Sequence, residues 1–416
     1  MSRRKLMPTG KPKVIAAVNQ SIVLDLIRNE SPISRAEIAR KTRLSRPTVS
    51  KIVDGLIAKG LVYEIGQGAT EGRSGRRPIV LQYNSRAGFV AGADLGAEKV
   101  VVAVADLQGN IISEVRRDRD PKSGGNHLLR SLMDAFREAL AQGEIDRKKL
   151  RGIAIGVPGV TDAEKGVVIL SRDFGQENLP LGRIFAEEFG LMTFVENDVN
   201  LAALGEARWG VGRKYKDIAY IRAGRGIGAG IIINRHLHRG SRGLAGEIGY
   251  MGVAEGCLQY RKQGLTSVGY LESIASISAV ITNMIAEAER DETALVRELT
   301  NGNPELIAMG TVFKAAEEGN DTARRLLDRA ITYLGIGVAN LISVLDPEIV
   351  VIGGEISLGG EKVLERLRSV VDSLTFMSPP IMFSNLGENA VIMGGISRIL
   401  DYVHTGPSIM LAASRK

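Results

Sequence analysis

The stretch SRAEIARKTRLSRPTVSKIVDGLIAKG (residues 34–60) carries two helix starts and one helix stop. Ser34 followed three positions later by Glu37 is a capping box: the hydroxyl takes an orphan amide, and the carboxylate accepts from the Ser34 N–H. The short helix it starts is expected to reach about Lys41. After the turn Thr42-Arg43-Leu44, Ser45 is a second N-cap, Pro47 sits in the first helical turn where its missing N–H costs nothing, and Gly60 closes the helix. Two short helices joined by so tight a turn read as a helix-turn-helix. Val49, Ile52, Val53, Leu56 and Ile57 form its buried stripe, which leaves Ser45, Arg46, Thr48, Ser50 and Lys51 toward the start of the exposed face. In such a motif the beginning of the second helix meets base edges of double-stranded DNA, with Arg suited to guanine and the hydroxyls to phosphates or other base edges.

Upstream, Val14, Ile15, Val18, Ile22, Leu26 and Ile27 recur at three- and four-residue intervals between Lys13 and Asn29, an amphipathic helix that Ser31-Pro32 ends. Downstream, strand-like runs at Leu61 to Ile65 and Ile79 to Tyr83 flank a glycine-rich segment bearing Arg73, Arg76 and Arg77. This is a hairpin wing whose tip suits phosphates or a narrow minor groove. Charge agrees with that reading. Residues 1–86 hold 17 Lys and Arg against 6 Asp and Glu, whereas the remaining 330 residues hold 37 against 41. A basic head on a mildly acidic body is the electrostatic outline of a nucleic-acid-binding module joined to something else. A small winged helix can also bind protein, and that alternative predicts binding insensitive to salt and no affinity for DNA.

The chain of 416 residues, 44% hydrophobic with 49 glycines and 5% aromatics, suggests more than one core and an α/β body rich in tight turns. A lone Cys257 gives no disulfide framework, which fits a reducing compartment. The N-terminus lacks an apolar stretch for a signal peptide, and no run approaches a membrane span, so a cytoplasmic protein without membrane contact is expected.

In the body, Phe89 to Asp94 is an apolar strand ending in Asp94-Leu-Gly96-Ala97-Glu98, followed by strands at Val100 to Asp106 and Ile111 to Val115. Arg130 to Ala141 is helical. Gly152 to Val157 runs into Pro158-Gly159, and Phe194-Val195 leads into Glu196-Asn197-Asp198-Val199-Asn200 and a helix. Ile218 to Arg222 enters the glycine-rich segment 223–230, after which come Ala245-Gly-Glu247-Ile-Gly249-Tyr250 and Ile349 to Glu355. Repeated strand-to-glycine-turn units imply a two-lobed α/β fold with a cleft between the lobes. The apolar positions Ile274, Ile277, Val280, Ile281 and Ile285 of residues 271–289 read as core or dimer interface.

In this order the motifs resemble those of the ROK family of repressors and sugar kinases, and the winged helix followed by Gly75-Arg-Arg-Pro78 is similar to its regulator branch. The resemblance implies a sugar-kinase-like, actin-like (ribonuclease H-like) ATPase fold behind the winged helix: a head over 1–86, a first lobe over 87–200, and a second lobe with a dimerisation region over 201–416 whose last helix returns to the first lobe. It further implies a sugar held by Asn197, Asp198, Glu247 and Glu272, with Tyr250 where the family has His, and with Asp198 at the position of the kinase base. Carboxylates and amides suit paired sugar hydroxyls. Capping of the helix near Leu201 is the weaker expected role for Asn197 and Asp198.

Against kinase activity, Ala97-Glu98 replaces the family's Gly-Thr, which removes a phosphate ligand and sets a carboxylate beside a triphosphate. Gly224-Arg225-Gly226 replaces Gly-Thr-Gly, where Arg225 could still hold an anion. Gln263, Leu265 and Tyr270 stand where most members carry zinc-binding cysteines, so no metal and no cofactor are expected. The reading is a sugar-responsive repressor of carbohydrate-utilisation genes, a homodimer or dimer of dimers on operator DNA. Residues 87–90 are the expected hinge. The alternative is an active sugar kinase with an accessory DNA-binding head.

Overall fold

In the computed structural model, residues 12–67, 78–96, 99–119, 124–171, 174–260, 268–290, 300, 303 and 306–413 are described. The head comprises α1 (Pro12–Glu30), β1 (Ile33–Ser34), α2 (Arg35–Thr42), α3 (Arg46–Ala58), β2 (Val62–Gln67) and β3 (Ile79–Tyr83). Its helix starts follow the sequence. Ser34 N–H donates to Glu37 Oε2 at 2.9 Å, and Glu37 N–H donates to Ser34 Oγ at 3.3 Å. Ser45 caps α3 by accepting from Thr48 N–H at 3.3 Å. Arg43 takes a left-handed φ of 57° between α2 and α3, and Gly60, at φ 68°, follows the end of α3. The strands form an antiparallel sheet in the order β1-β3-β2, and β2 extends two residues past its expected end through an irregularity at Glu64/Gly66.

The first five-stranded sheet of the body has the order β11-β7-β4-β5-β6, from β4 (Phe89–Leu95), β5 (Lys99–Asp106), β6 (Ile111–Asp118), β7 (Leu150–Val157) and β11 (Thr193–Asn197). β4 is buried at every position, as expected for a strand covered on both faces. α4 (Gly125–Gln142) and α5 (Leu181–Phe189) cover one face, where Phe136, Phe185 and Phe189 cluster. A small sheet, β8 (Val160–Asp162), β9 (Val167–Ser171) and β10 (Gln176–Leu179), lies between β7 and α5 in the chain.

α6 (Asp198–Arg208) leads to the second five-stranded sheet, built from β12 (Ile218–Ala223), β13 (Ile227–Ile233), β14 (His236–Leu237), β15 (Ile349–Gly353) and β16 (Ile381–Phe383) in the order β14-β13-β12-β15-β16. Its other helices are α7 (Tyr270–Ala275), α8 (Ile277–Arg290), α9 (Met309–Glu317), α10 (Asp321–Leu345) and α11 (Gly360–Leu374). Ser276 divides what reads in sequence as one amphipathic segment into α7 and α8, and Ile277 and Val280 enter the core. By length and composition α10 could cross a membrane, but its apolar stretch is 56% buried in that same core.

The last helix, α12 (Ala390–Ala413), packs on β4 and β7 of the first sheet, along α6, and against α1 of the head. Its contact with α6 has almost no side chain between backbones. A Cβ on Gly394 would lie 1.7 Å from the Leu201 carbonyl oxygen, and one on Gly205 would lie 2.3 Å from that of Ala390. Head residues Val23, Ile27, Leu56 and Leu81 share one apolar cluster with Val101 and Ala103 of the first sheet and with Ile392, Ile396 and Leu400 of α12. The head is therefore joined to the body by packed side chains as well as by the segment 84–88.

Candidate functional site

Two groups of candidate residues lie on different parts of the molecule. On the head, Arg46 and Lys51 are exposed at the start of α3, and Ser50 is half-buried. Ser45 and Thr48 bond each other at 2.7 Å as well as forming the cap, so their hydroxyls are engaged in the helix start. Arg35, which the sequence reading passed over, braces this face: its guanidinium donates to Asp54 Oδ1 at 2.7 Å, to Glu64 Oε1 at 3.2 Å and to the Ser50 carbonyl at 3.3 Å. That set ties α2, α3 and β2 together. Arg73, Arg76 and Arg77 lie outside the described residues, as do Ala97 and Glu98 of the altered phosphate loop.

The second group gathers where β4, β11 and β12 end and α6 and α7 begin. Parallel pairing of β11 with β7 and of β7 with β4 brings Asn197 level with Val157, and Asp94 level with Gly156. Asn197 is the N-cap of α6: its Oδ1 accepts from Asn200 N–H at 3.1 Å, while its Nδ2 donates to the Gly159 carbonyl at 3.0 Å. The capping role expected to be the weaker one is thus present, because a strand turning straight into a helix leaves amides that only a side chain can satisfy. Asp198 is the first helical residue, and its Oδ1 accepts from Val199 N–H at 3.0 Å. Glu196 is buried and takes Arg239 at 2.6 Å and Asn200 Nδ2 at 3.1 Å.

Glu247 lies half-buried before a short helical turn at Ile248–Tyr250. Burial lifts its carboxyl above the usual range, and the negative charges of Glu272 and Asp198 lift it further, which places the three carboxylates in one electrostatic neighbourhood. Glu272 accepts from Ile227 N–H at 2.9 Å, and a Cβ on Gly226 or Gly249 would meet its carboxylate at 2.9 Å or 3.2 Å. At Gly249 a Cβ would also lie 2.7 Å from the Ile227 carbonyl oxygen, a backbone atom that cannot give way, so glycine is required there. Tyr250, 42% exposed, stands at the rim. Among the described residues no group of three His, Cys, Asp or Glu is placed to hold a metal ion.

Two residues that the sequence reading did not assign complete the cluster. Arg222, at the end of β12, donates to Asp198 Oδ2 at 2.5 Å. Asp94, at the end of β4, is buried, and its Oδ1 has no hydrogen-bond partner among the described residues. Burial pushes the Asp94 carboxyl up to about 7, with Asp198 adding to the shift and Arg222 opposing it. The available signals were an arginine inside the apolar run Ile218–Ala223 and an aspartate ending an apolar strand.

The class defined by this architecture is a sugar-kinase-like two-lobed body, with a carboxylate-lined site where its sheets end, carrying a winged helix. The chain belongs to the ROK family, whose pattern matches residues 90–397, and a MarR family pattern matches residues 17–74. It is 33% identical over 398 residues to the xylose repressor of Caldicellulosiruptor bescii, covering 94% of this chain and 97% of that one. Identity to the DNA-binding transcriptional dual regulator NagC of Escherichia coli is 27% over 370 residues, covering 88% and 87%. A ROK family glucokinase from Streptomyces griseus, in complex with glucose and AMPPNP, superposes with a TM-score of 0.65 at 28% identity, over 75% of this chain and 99% of that one. A ROK transcriptional regulator homologous to the E. coli MLC protein shares the fold over 96% of this chain and 98% of its own, with a TM-score of 0.76 at 24% identity.

Proposed function

We propose that the protein is a sugar-responsive transcriptional repressor: the winged helix holds operator DNA, and the cleft of the kinase-like body reads a sugar without phosphorylating it. The observation that carries the reading is the joining of a MarR-type head, with Arg46 and Lys51 exposed on α3, to a carboxylate cluster of Asp198, Glu247 and Glu272 by one helix pair, α6 and α12. Relatives named as xylose repressors make D-xylose the first sugar to test, and two heads on a palindromic operator make a homodimer the expected form.

Purified protein titrated onto operator DNA, with and without D-xylose, D-glucose or N-acetyl-D-glucosamine, tests this reading. Arg46→Ala is expected to cost roughly 1–3 kcal/mol of specific DNA binding and leave sugar affinity unchanged. Glu247→Gln is expected to do the reverse. Each phosphate contact supplied by the head adds about −0.9 to the slope of log affinity against log salt. No DNA binding by the wild-type protein, or a sugar-dependent turnover of ATP, would remove the proposal.

The same geometry supplies a route for the response. Asp198 opens α6, α6 lies against α12 backbone to backbone, and α12 reaches the head, where His404 Nδ1 lies 2.5 Å from Arg28 Nη1 and Nε2 lies 3.5 Å from the Tyr83 hydroxyl. Burial holds the His404 imidazole down at about 3, with Arg28 and Arg208 adding to the effect, so at neutral pH the ring is uncharged and accepts from Arg28. An effector shifts the head only through contacts that differ between two states. His404→Ala should leave both separate affinities near wild type while shrinking the sugar-induced change in DNA affinity, which for coupled sites typically lies at about 5–150-fold, toward unity. Full coupling in that variant, measured by DNA titration at saturating sugar, would exclude this route.

A further inference from the structure

Arg222 has an unusual setting for a charged side chain. Its strand neighbours in register are Gly228 on β13 and Gly353 on β15, so neither cross-strand position offers a side chain to crowd the guanidinium. A Cβ on Gly228 would lie 3.2 Å from Val199 of α6, which shows how closely this part of the sheet approaches the helix. Into that space Arg222 extends to Asp198 Oδ2 at 2.5 Å, while the other Asp198 oxygen takes the Val199 N–H at 3.0 Å. Both oxygens of the carboxylate are therefore oriented by this chain before any ligand arrives.

The surroundings account for the arginine. Asp198 from α6, Asp94 from β4, the Tyr220 hydroxyl of β12 and Glu355 after β15 all act on it electrostatically, and Glu247 and Glu272 add negative charge around Asp198. A carboxylate in such company, without a cation, would be repelled by its neighbours and free to rotate away. A guanidinium gives the strong, directional, charge-assisted pairing that fixes it.

We propose that Arg222 is a positioning residue for the effector: it holds Asp198 in the orientation that accepts a sugar hydroxyl, so sugar affinity depends on Arg222 through Asp198. This rests on the cleft being the effector site. The contribution is one of preorganisation, since the donor set is already arranged and the ligand need not order it on binding.

The experiment is a double-mutant cycle on the full chain by calorimetry, with D-xylose, D-glucose and N-acetyl-D-glucosamine as probes, for wild type, Arg222→Met, Asp198→Asn, the double variant and Arg222→Lys. Arg222→Met is expected to weaken the sugar that binds by roughly 10- to 150-fold, the range of a hydrogen bond to a charged group. The double variant should be no weaker than the worse single one, because both substitutions remove the same interaction. Arg222→Lys should recover most of the affinity. Arg222→Gln, polar but uncharged and too short to reach Asp198 as the guanidinium does, replaces the methionine if that variant does not fold. Unaltered affinity in Arg222→Met, or losses that multiply in the double variant with no rescue by lysine, would overturn the proposal. A wild-type protein that binds none of the probes would instead overturn the sensor reading, and this inference with it.

Discussion

Asp94→Asn is expected to stabilise the protein at pH 8 by roughly 2–4 kcal/mol, and to have far less effect near pH 4. The reason is the buried carboxyl at the end of β4, pushed from 3.8 up to about 7 mainly by its removal from water. Between those values the native state holds a proton that the unfolded state has released. Stability therefore falls as pH rises through that window and levels off above it, with a full span of about 4 kcal/mol at 1.36 kcal/mol per unit. Asparagine keeps the shape without the charge and should flatten the curve. Urea unfolding of wild type and variant from pH 4 to 8.5 checks this. Parallel curves across the window would mean that Asp94 ionises as easily in the folded protein as out of it.

The second large effect is expected at Gly394. A single added methyl would drive into the Leu201 carbonyl oxygen, a backbone atom that cannot swing aside, so α6 and α12 must separate. Gly394→Ala should cost about 2 kcal/mol or more, despite the gain of up to about 1 kcal/mol in helix propensity that the exchange brings. Gly310 in α9 is the control. Nothing lies within 4 Å of a Cβ there, and alanine at that exposed first-turn position is expected to be neutral or to gain up to about 0.5 kcal/mol. A fall in the urea midpoint confined to Gly394→Ala supports the close contact, whereas equal midpoints for the two variants would show that α6 and α12 do not meet backbone to backbone. If Gly394→Ala folds, it should also bind DNA and sugar separately while responding less to their combination.

The helix-turn-helix was legible because its information is local. Ser34 with Glu37, and Ser45 with Pro47, each report on amides within one turn, and those caps form as read. The central strands β4, β7 and β15 were legible from apolar runs that only a covered sheet accommodates, whereas β13 begins inside the segment that reads as a glycine-rich turn, and the short edge strands β14 and β16 give no such run. What could not be read was convergence. Asp94, Asp198 and Arg222 come from a strand of the first sheet, the helix after it and a strand of the second, and no spacing in the chain announces that one arginine answers two aspartates. The head-to-body contact was hidden for the same reason: reading the chain in order points to residues 87–90 as the hinge, whereas the structure also ties Arg28 to His404. Asn197 joins two roles that the sequence offers as alternatives, since it is the N-cap of α6 and also lies in the candidate site.

The packing of α12 on the head has a consequence for synthesis. The head ends at Tyr83 and the helix that braces it begins at Ala390, so at about 5–20 residues per second the ribosome needs roughly 15–60 s to supply the brace after the head has emerged. During that interval Val23, Ile27 and Leu56 have one another but lack Ile392, Ile396 and Leu400, which complete their cluster. A nascent chain is thus a DNA-binding head without its regulator.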